Sequence, residues 1–227
     1  MKIRIKLQGF LVFFVLTISI LLPKSLFPHW KNEALDEFLD TLGMSMVLFG
    51  FLFRIAARGY KAAVSKDGKS LIKGGFYSLT RNPMYFGTLL IGSGVALVLF
   101  SWWAVILFII IFLLIYAPQI IKEENNLNGL FGREYKYYCS KTPRFFPRPV
   151  DLLRMDIRDY LFFKWHWVKK ELVSLLSVIF VIMAIEIKED VGLFGYAEYK
   201  KEFLEITGII LFFIFVFIFS YHRKDEK

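Results

Sequence analysis

The sequence predicts an all-α, polytopic membrane protein, a bundle of about six transmembrane helices. Of the 227 residues, 56% are hydrophobic and 19% are aromatic. The mean hydropathy is +0.51, a value that soluble domains of this size seldom reach. The apolar residues are gathered in stretches close to the ~20 residues that cross a bilayer, and the loops between these stretches alternate in positive charge.

Six apolar stretches are predicted to span the membrane. They lie near residues 7–27, 38–57, 84–99, 102–117, 172–187 and 204–221. The third and fourth are separated by little more than Ser101-Trp102, which predicts a tight helical hairpin with Trp102 and Trp103 at the far interface. The first follows MKIRIK and lacks a small-residue cleavage site, so it is expected to be an uncleaved span rather than a signal peptide.

The distribution of lysine and arginine predicts that both termini are cytosolic. Segments 1–6, 54–81, 122–170 and 223–227 carry 3, 7, 11 and 3 of the 29 basic residues. The alternate loops, 24–31 and 188–201, carry 2 and 3. Because cytosolic loops hold the excess of positive charge, both long loops are expected in the cytosol. The net charge of +9 then indicates loops that face anionic lipid and not a nucleic-acid partner.

The cysteine and histidine content predicts no metal site. Cys139 is the only cysteine, which excludes an intrachain disulfide and a cysteine-rich metal site, and it is expected to be inert packing. The histidines at 29, 166 and 222 are scattered without ligand spacing and are interpreted as interfacial or surface residues.

Three other local patterns have structural interpretations. Arg54 and Arg58 share one face at the end of the second span, where they either extend to the headgroups or hold an acidic headgroup. The GSG at 92–94 lies inside an apolar helix and indicates helix packing, not a nucleotide loop. KWHWVKK at 164–170 is expected to be an amphipathic interfacial stretch with Trp165 and Trp167 at headgroup level.

The stretch LTRNPMYFG at 79–87 contains a cation that a helix start does not need. Asn82 is expected to cap the helix with its side chain, and Pro83 suits its first turn. Arg81 opposes the helix dipole, so with the free N–H groups it predicts an anion site. Tyr85 offers a stacking surface, and Gly87 a gap where a ligand can approach the backbone.

The second arm of the hairpin is expected to extend beyond the bilayer at the same face. Glu123 and Leu127 are i, i+4 neighbours on it, and Pro118 is expected to kink it. Glu123 and Glu124 are either solvated charge or ligands for a cationic or hydroxylated group.

These segments, taken in order, resemble the isoprenylcysteine carboxyl methyltransferase and phospholipid methyltransferase superfamily. The resemblance covers about residues 73–149 and rests on a G-x-Y…R-H-P-x-Y-x-G stretch, E-E-x-x-L, F-G-x-E-Y-x-x-Y and R-x-x-P. The matching positions are Gly75, Tyr77, Arg81, Pro83, Tyr85, Gly87, Glu123, Glu124, Leu127, Phe131, Gly132, Glu134, Tyr135, Tyr138, Arg144 and Pro147.

The resemblance implies an S-adenosylmethionine-dependent methyltransferase in the membrane, with its cofactor site at the cytosolic face and a lipidic acceptor. The cofactor-binding residues would be Arg81, Asn82, Pro83, Met84, Tyr85, Gly87, Glu123 and Glu124. Arg81 and Glu124 would also be catalytic, and Gln119, Tyr135 and Arg144 would contact the substrate. Segment 1–72 would precede this core and segment 150–227 follow it, with two last spans that either shape the acceptor cavity or associate chains into an oligomer.

Two departures from the superfamily pattern bear on the chemistry. Asn82 stands where histidine is commonest, so no titratable base is expected there. Gln119 stands where the eukaryotic carboxyl methyltransferases have arginine, which puts a prenylcysteine carboxylate substrate in doubt. Carboxyl O-methylation and amine N-methylation both stay open. The alternatives are a small membrane transporter or scaffold, and a non-catalytic lipid-binding member of the same fold.

Overall fold

The computed structural model describes residues 33–65 and 70–154, and then 167–168, 171–172, 174–182, 207–208 and 211. Its regular elements are α1 (Glu33–Val64), α2 (Phe76–Leu79), α3 (Pro83–Leu99), α4 (Trp102–Lys141) and α5 (Pro149–Arg154). Residues 167–168, 171–172 and 174–182 are also helical, and no strand occurs in the described ranges. The predicted all-α class is therefore confirmed for these residues. The predicted span at 7–27 lies outside them, as does most of 204–221.

Two described helices are long and apolar enough to cross a membrane. They are Phe38–Val64 and Trp102–Lys141, and Pro83–Leu99 is a shorter apolar helix. These three contain the spans predicted at 38–57, 102–117 and 84–99. The number of six spans and the cytosolic orientation of the termini stay predictions.

Helices α1 and α3 pack antiparallel through two pairs of glycines. A Cβ on Gly50 would lie 2.6 Å from the carbonyl oxygen of Gly87, and a Cβ on Gly94 would lie 2.4 Å from that of Gly43. Since no side chain fits between the backbones at these levels, the glycines let the two helices approach closely. The packing role predicted for the GSG stretch is confirmed at Gly94.

Helices α3 and α4 form the predicted hairpin. Near its tip, a Cβ on Gly92 would lie 2.0 Å from Phe108 of the second arm. Toward the open end, the rings of Tyr85 and Tyr116 lie 5.5 Å apart. Trp102 begins α4 at the tip and is 62% exposed. The hairpin therefore returns α4 to the end of the bundle where α3 begins.

Helix α4 changes direction at Gly132, which has φ 50° and ψ −115°. This left-handed φ favours glycine because it has no Cβ. The backbone dihedrals stay helical through Pro118, and the kink expected there stays a prediction. Beyond Gly132, the Tyr138 hydroxyl donates to the Tyr77 carbonyl at 2.5 Å. The turn thus brings the last part of α4 onto the segment that leads into α3.

Trp167 is buried against other helices and does not face outward, while its predicted level at the headgroups stays a prediction. Trp167 is 6% exposed and lies in a core with Phe53, Phe76 and Leu79. A Cβ on Gly59 would lie 1.9 Å from the Trp167 ring, so the indole fills the space over that glycine. Apolar burial against α1 and α2 therefore holds this residue within the protein, while Trp165 lies outside the described residues.

Candidate active site

The entry into α3 has the predicted backbone but not the predicted cap. Asn82 is the N-cap residue and Pro83 follows at the first helical position, but the Asn82 side chain makes no capping hydrogen bond. Its Nδ2 donates to the Arg144 carbonyl at 2.9 Å and to Glu124 Oε1 at 3.4 Å. Capping by Asn82 is therefore a wrong prediction, because the amide is used to join α3 to later parts of the chain.

Arg81 is held by the part of α4 that follows its apolar stretch. Its Nη1 lies 3.2 Å from Glu124 Oε1 and donates to Cys139 Sγ at 2.8 Å. Burial alone would lower the pKa of Arg81, but the Glu124 carboxylate and Cys139 raise it above its ordinary value. The guanidinium therefore stays charged. Cys139, expected to be inert packing, is a direct neighbour of the predicted anion-binding residue.

Glu124 is the centre of the cluster. It is 7% exposed, and its Oε1 contacts Arg81 and Asn82. Its Oε2 accepts from Arg144 Nε at 3.0 Å. Both carboxylate oxygens are thus engaged by protein donors, which a buried carboxylate needs in order to remain charged. Glu124 joins the start of α3, the middle of α4 and the segment after α4.

Glu123 has a different environment from its neighbour. Its Oε1 accepts from the Tyr85 hydroxyl at 2.8 Å and from Gln119 Nε2 at 2.9 Å. The residue is half-buried, and within the described ranges no donor is recorded on Oε2. Gln119, predicted to contact the substrate, lies one helical turn before Glu123 and orients it.

The segment after α4 is fixed by Thr80. The Thr80 hydroxyl donates to the Phe145 carbonyl at 2.8 Å, and the backbone N–H of Arg81 donates to the Pro143 carbonyl at 2.9 Å. Arg144 is therefore held beside Glu124, while its side chain is 59% exposed. Thr80 was not among the predicted site residues, and its contacts are formed with residues more than sixty positions away.

Of the remaining predicted residues, Tyr135, Met84 and Pro83 lie at or beside the cluster, whereas Gly87 lies in a helix contact. Tyr135 is 4% exposed and belongs to the cluster around Arg81. Met84 is half-buried, and Pro83 is fully buried at the helix start. The gap predicted over Gly87 is absent: a Cβ there would lie 2.6 Å from the Gly50 carbonyl oxygen and 2.9 Å from Arg54 Cγ. Gly87 thus serves the packing of α3 on α1, and no ligand can approach on that side.

Tyr77 and Tyr138 lie next to the cluster, although neither is among the predicted site residues. The Tyr138 hydroxyl is bonded to the Tyr77 carbonyl, and burial, together with the charge of Glu123, raises the pKa of the Tyr77 phenol. Tyr77 therefore stays neutral at physiological pH. Helical spacing is the sequence signal for part of this cluster, since Tyr135, Tyr138 and Cys139 are i, i+3 and i+4 positions.

Comparisons with known proteins support the predicted superfamily. The family model for phospholipid methyltransferase matches residues 39–134. A probable protein-S-isoprenylcysteine O-methyltransferase of Oryza sativa subsp. indica is 30% identical over 125 residues, covering 52% of this chain and 64% of the relative. Protein-S-isoprenylcysteine O-methyltransferase B of Arabidopsis thaliana is 25% identical over 123 residues, covering 51% and 59%.

A bacterial relative carries a different name. The cobalt-zinc-cadmium resistance protein CzcN of Cupriavidus metallidurans is 29% identical over 133 residues, covering 58% of this chain and 60% of the relative. Among the residues that the structure describes, no group of three or more His, Cys, Asp or Glu side chains is placed to hold a metal ion. No solved structure matches the chain significantly.

The chain therefore spans less than two thirds of the length of the curated relatives that it matches. The family match begins in α1 and ends just after the turn at Gly132. It includes the start of α3 and the Glu123-Glu124 pair, and thus most of the cluster described above. Residues 39–134 thus match the phospholipid methyltransferase family, and the similarity to protein-S-isoprenylcysteine O-methyltransferases supports the superfamily that the sequence motifs indicate.

Proposed function

We propose that the chain is a membrane methyltransferase that takes its methyl group from S-adenosylmethionine and transfers it to a lipidic or membrane-embedded acceptor. The observation that carries the proposal is the joining of two distant segments, by the Arg81–Glu124 pair at 3.2 Å and the Tyr85–Glu123 bond at 2.8 Å. These contacts place a guanidinium, a helix start and an open carboxylate oxygen together. The catalytic unit would be residues 73–149, supported by α1.

The polar groups of this cluster fit a zwitterionic cofactor. Arg81 Nε and the Tyr135 hydroxyl are buried without a hydrogen-bond partner in the described part of the chain. Because buried donors are rarely left unpaired, both are suited to donate to a carboxylate group of the cofactor. The open oxygen of Glu123 would accept from its ammonium group or a ribose hydroxyl. The cluster thus offers donors for the carboxylate of the cofactor and an acceptor for its ammonium or ribose hydroxyl groups.

We propose different tasks for the two glutamates, because their hydrogen-bond partners differ. When bound, the cofactor supplies an electrophilic methyl group on a positively charged sulfur. Glu124 is engaged on both oxygens by Arg81, Asn82 and Arg144, so it would keep the site assembled. Glu123 would bind the ligand and, with an amine acceptor, take the proton that the amine loses. Positioning donor and acceptor in line would provide much of the catalysis.

The acceptor would approach from the bilayer. Helix α4 exposes large apolar side chains along its membrane-spanning part, among them Ile106, Ile110 and Leu114, which suits a lipid-facing surface. Gln119 donates to Glu123 and carries no charge, so no guanidinium is supplied there for an acceptor carboxylate. This favours an acceptor other than prenylcysteine.

The proposal is tested with purified chain in lipid nanodiscs, S-adenosylmethionine labelled in its methyl group, and an extract of membrane lipids. We expect binding of the cofactor and labelled lipid. Binding without transfer would indicate a non-catalytic member of the fold, and neither result would favour a transporter or scaffold. Glu134→Gln is a matched control for Glu123→Gln, because Glu134 is 53% exposed and its ion pair within the described residues is with Lys73.

A further inference from the structure

We propose that Glu171 is a positioning residue for the first turn of α3, so that the helical segment around it supports the candidate site. Glu171 lies outside the family match, which ends at residue 134. It is 1% exposed, although it carries a carboxylate. The link to cofactor binding rests on the proposed function, whereas the link to the geometry of α3 stands on the contacts described next.

Two arginines of α1 compensate the buried charge of Glu171. Arg54 Nη2 lies 3.1 Å from Oε2, and Arg54 Nε donates to the same oxygen at 3.3 Å. Arg58 Nη1 is bonded to Oε1. The sequence predicts lipid headgroups as the partners of both arginines. In the structure each of them has a protein partner, Glu171. Removing one member of such a cluster leaves an uncompensated charge in the protein, so the three side chains hold their positions together.

Arg54 transmits this constraint to α3. Its Nη1 donates to Thr88 Oγ1 at 2.7 Å, and the Thr88 hydroxyl donates to the Met84 carbonyl at 2.9 Å. Met84 lies between Asn82 and Tyr85 in the turn that carries the candidate site. A chain of three polar contacts thus runs from the Glu171 carboxylate to this turn.

The packing leaves Arg54 little freedom. Its Cγ would lie 2.9 Å from a Cβ on Gly87, so its stem runs directly over the α3 backbone. Four positions before Glu171, Trp167 contacts Gly59 and packs with Phe76 and Leu79, just before Arg81. A joint shift of Trp167 and Glu171 would therefore move both the end of α2 and the start of α3.

Glu171 acts indirectly in this scheme. In the described ranges, the recorded bonds of Glu171, Arg54 and Arg58 do not reach Arg81, Glu123 or Glu124. The contribution of Glu171 therefore passes through Thr88 and the backbone of α3. Replacing Thr88 interrupts this route and leaves the Glu171–Arg54–Arg58 ion pairs intact. A weaker affinity in a Thr88 variant therefore indicates positioning and not a general loss of stability.

The test measures cofactor affinity by calorimetry and backbone hydrogen exchange in nanodiscs for Glu171→Gln, Thr88→Val and the double variant. We expect each single variant to bind S-adenosylmethionine about tenfold more weakly, within the range that packed networks transmit. Exchange should rise in peptides covering 83–88 and stay unchanged in 102–117. Glu134→Gln, in the exposed Lys73 pair, should change neither quantity.

The double variant decides the route. If Glu171 acts through Thr88, the double variant binds about as weakly as either single variant. The proposal would be overturned if the losses of affinity in the two single variants multiplied in the double variant. It would also be overturned if Thr88→Val left affinity and exchange unchanged. If Glu171→Gln does not fold, Glu171→Asp, which keeps the charge but shortens the side chain, takes its place in the same comparison. If the unmodified chain binds no cofactor, the proposed function fails, and exchange at 83–88 still tests the positioning role, which unchanged exchange in both variants would refute.

Discussion

Arg81 Nη1 lies 3.2 Å from Glu124 Oε1, and this ion pair joins the start of α3 to the part of α4 that follows its apolar stretch. Both side chains are mostly buried, with exposures of 13% and 9%. A charged pair at this depth needs further hydrogen bonds to offset its desolvation. Asn82, Cys139 and Arg144 provide them. The cluster thus fixes the relative positions of the segments that carry the candidate site.

Replacing Arg81 with lysine should weaken cofactor binding while keeping the charge. An ammonium group cannot contact Glu124 and Cys139 and also present the free Nε–H that Arg81 has. We expect the affinity for S-adenosylmethionine to fall by about tenfold to a hundredfold, the effect of losing charge-assisted hydrogen bonds. Calorimetry measures it, with the exposed Arg133→Lys as control. Equal affinity in the two variants would contradict the role of Arg81.

The two glutamates should respond differently to conversion to glutamine. Glu124→Gln removes the partner of two arginines and should lower the free energy of unfolding by about 3 kcal/mol. Glu123→Gln leaves a hydrogen-bond acceptor for Tyr85 and should change stability by less than about 1 kcal/mol, yet weaken cofactor binding. Thermal unfolding and calorimetry on both variants check this. A larger loss of stability in Glu123→Gln would reverse the assignment.

Asn82→Asp should make stability depend on pH. The new carboxylate would lie close to Glu124, whose Oε1 is 3.4 Å from the present amide nitrogen. It would also face the Arg144 carbonyl oxygen, to which the present amide donates at 2.9 Å. Arg81 and Arg144 already pair with Glu124, so we expect the two crowded acceptors to outweigh them and to raise the pKa of the new carboxyl group in the folded state. A group with a raised folded pKa loses its stabilising contribution as pH rises through that value. We therefore expect the variant to unfold at lower temperature at pH ~8 than at pH ~5.5, with exposed Asn126→Asp nearly unaffected.

Gly132→Ala should disturb the turn in α4 through the backbone alone. A Cβ on Gly132 or on Gly129 would meet no atom within 4 Å, but only Gly132 has a positive φ, of 50°. We expect Gly132→Ala to lower the free energy of unfolding by about 1–2 kcal/mol. Gly129→Ala, inside the helix, should raise it by up to about 1 kcal/mol. Equal effects in thermal unfolding would show that the turn is not constrained at Gly132.

Gly50→Ala should separate α1 from α3. The added Cβ would lie 2.6 Å from the Gly87 carbonyl oxygen, which is backbone and cannot rotate away. We expect a loss of about 1–3 kcal/mol in the free energy of unfolding, as for other overpacked cores. Gly129→Ala again serves as the matched control, and stability equal to that control would contradict the close approach.

The elements that the sequence predicted correctly depend on local signals. Continuous apolar residues identified the helix at Pro83–Leu99 and the start of α4 at Trp102, because the length needed to cross a bilayer constrains each span separately. Pro83 marked the first turn of α3, since its fixed φ suits that position. The motifs around Arg81 and Glu123-Glu124 identified residues that the structure does bring together.

The features that sequence reasoning missed depend on distant partners. Asparagine is a common cap residue, but the Asn82 amide donates to Glu124 and to the Arg144 carbonyl instead. No local pattern indicates that these distant acceptors replace the capping bond. Arg54 and Glu171 are 117 positions apart, so nothing near either residue predicts their pairing. Neighbouring lysines predict that Trp167 faces the membrane interface. Its burial over Gly59 was missed, because that space forms only when the chain folds.

The glycine pairs between α1 and α3 also limit where an acceptor can enter. Gly43 faces Gly94 and Gly50 faces Gly87, and the partners on each helix are seven residues apart, so the contact recurs every two turns. Backbone meets backbone at both levels, which leaves no cleft for an acyl chain along this seam. Within the described residues the α1–α3 seam is thus closed at both levels. Under the proposed function, we therefore expect a lipid tail to reach the Glu123 side of α3 along α4 and not through this seam.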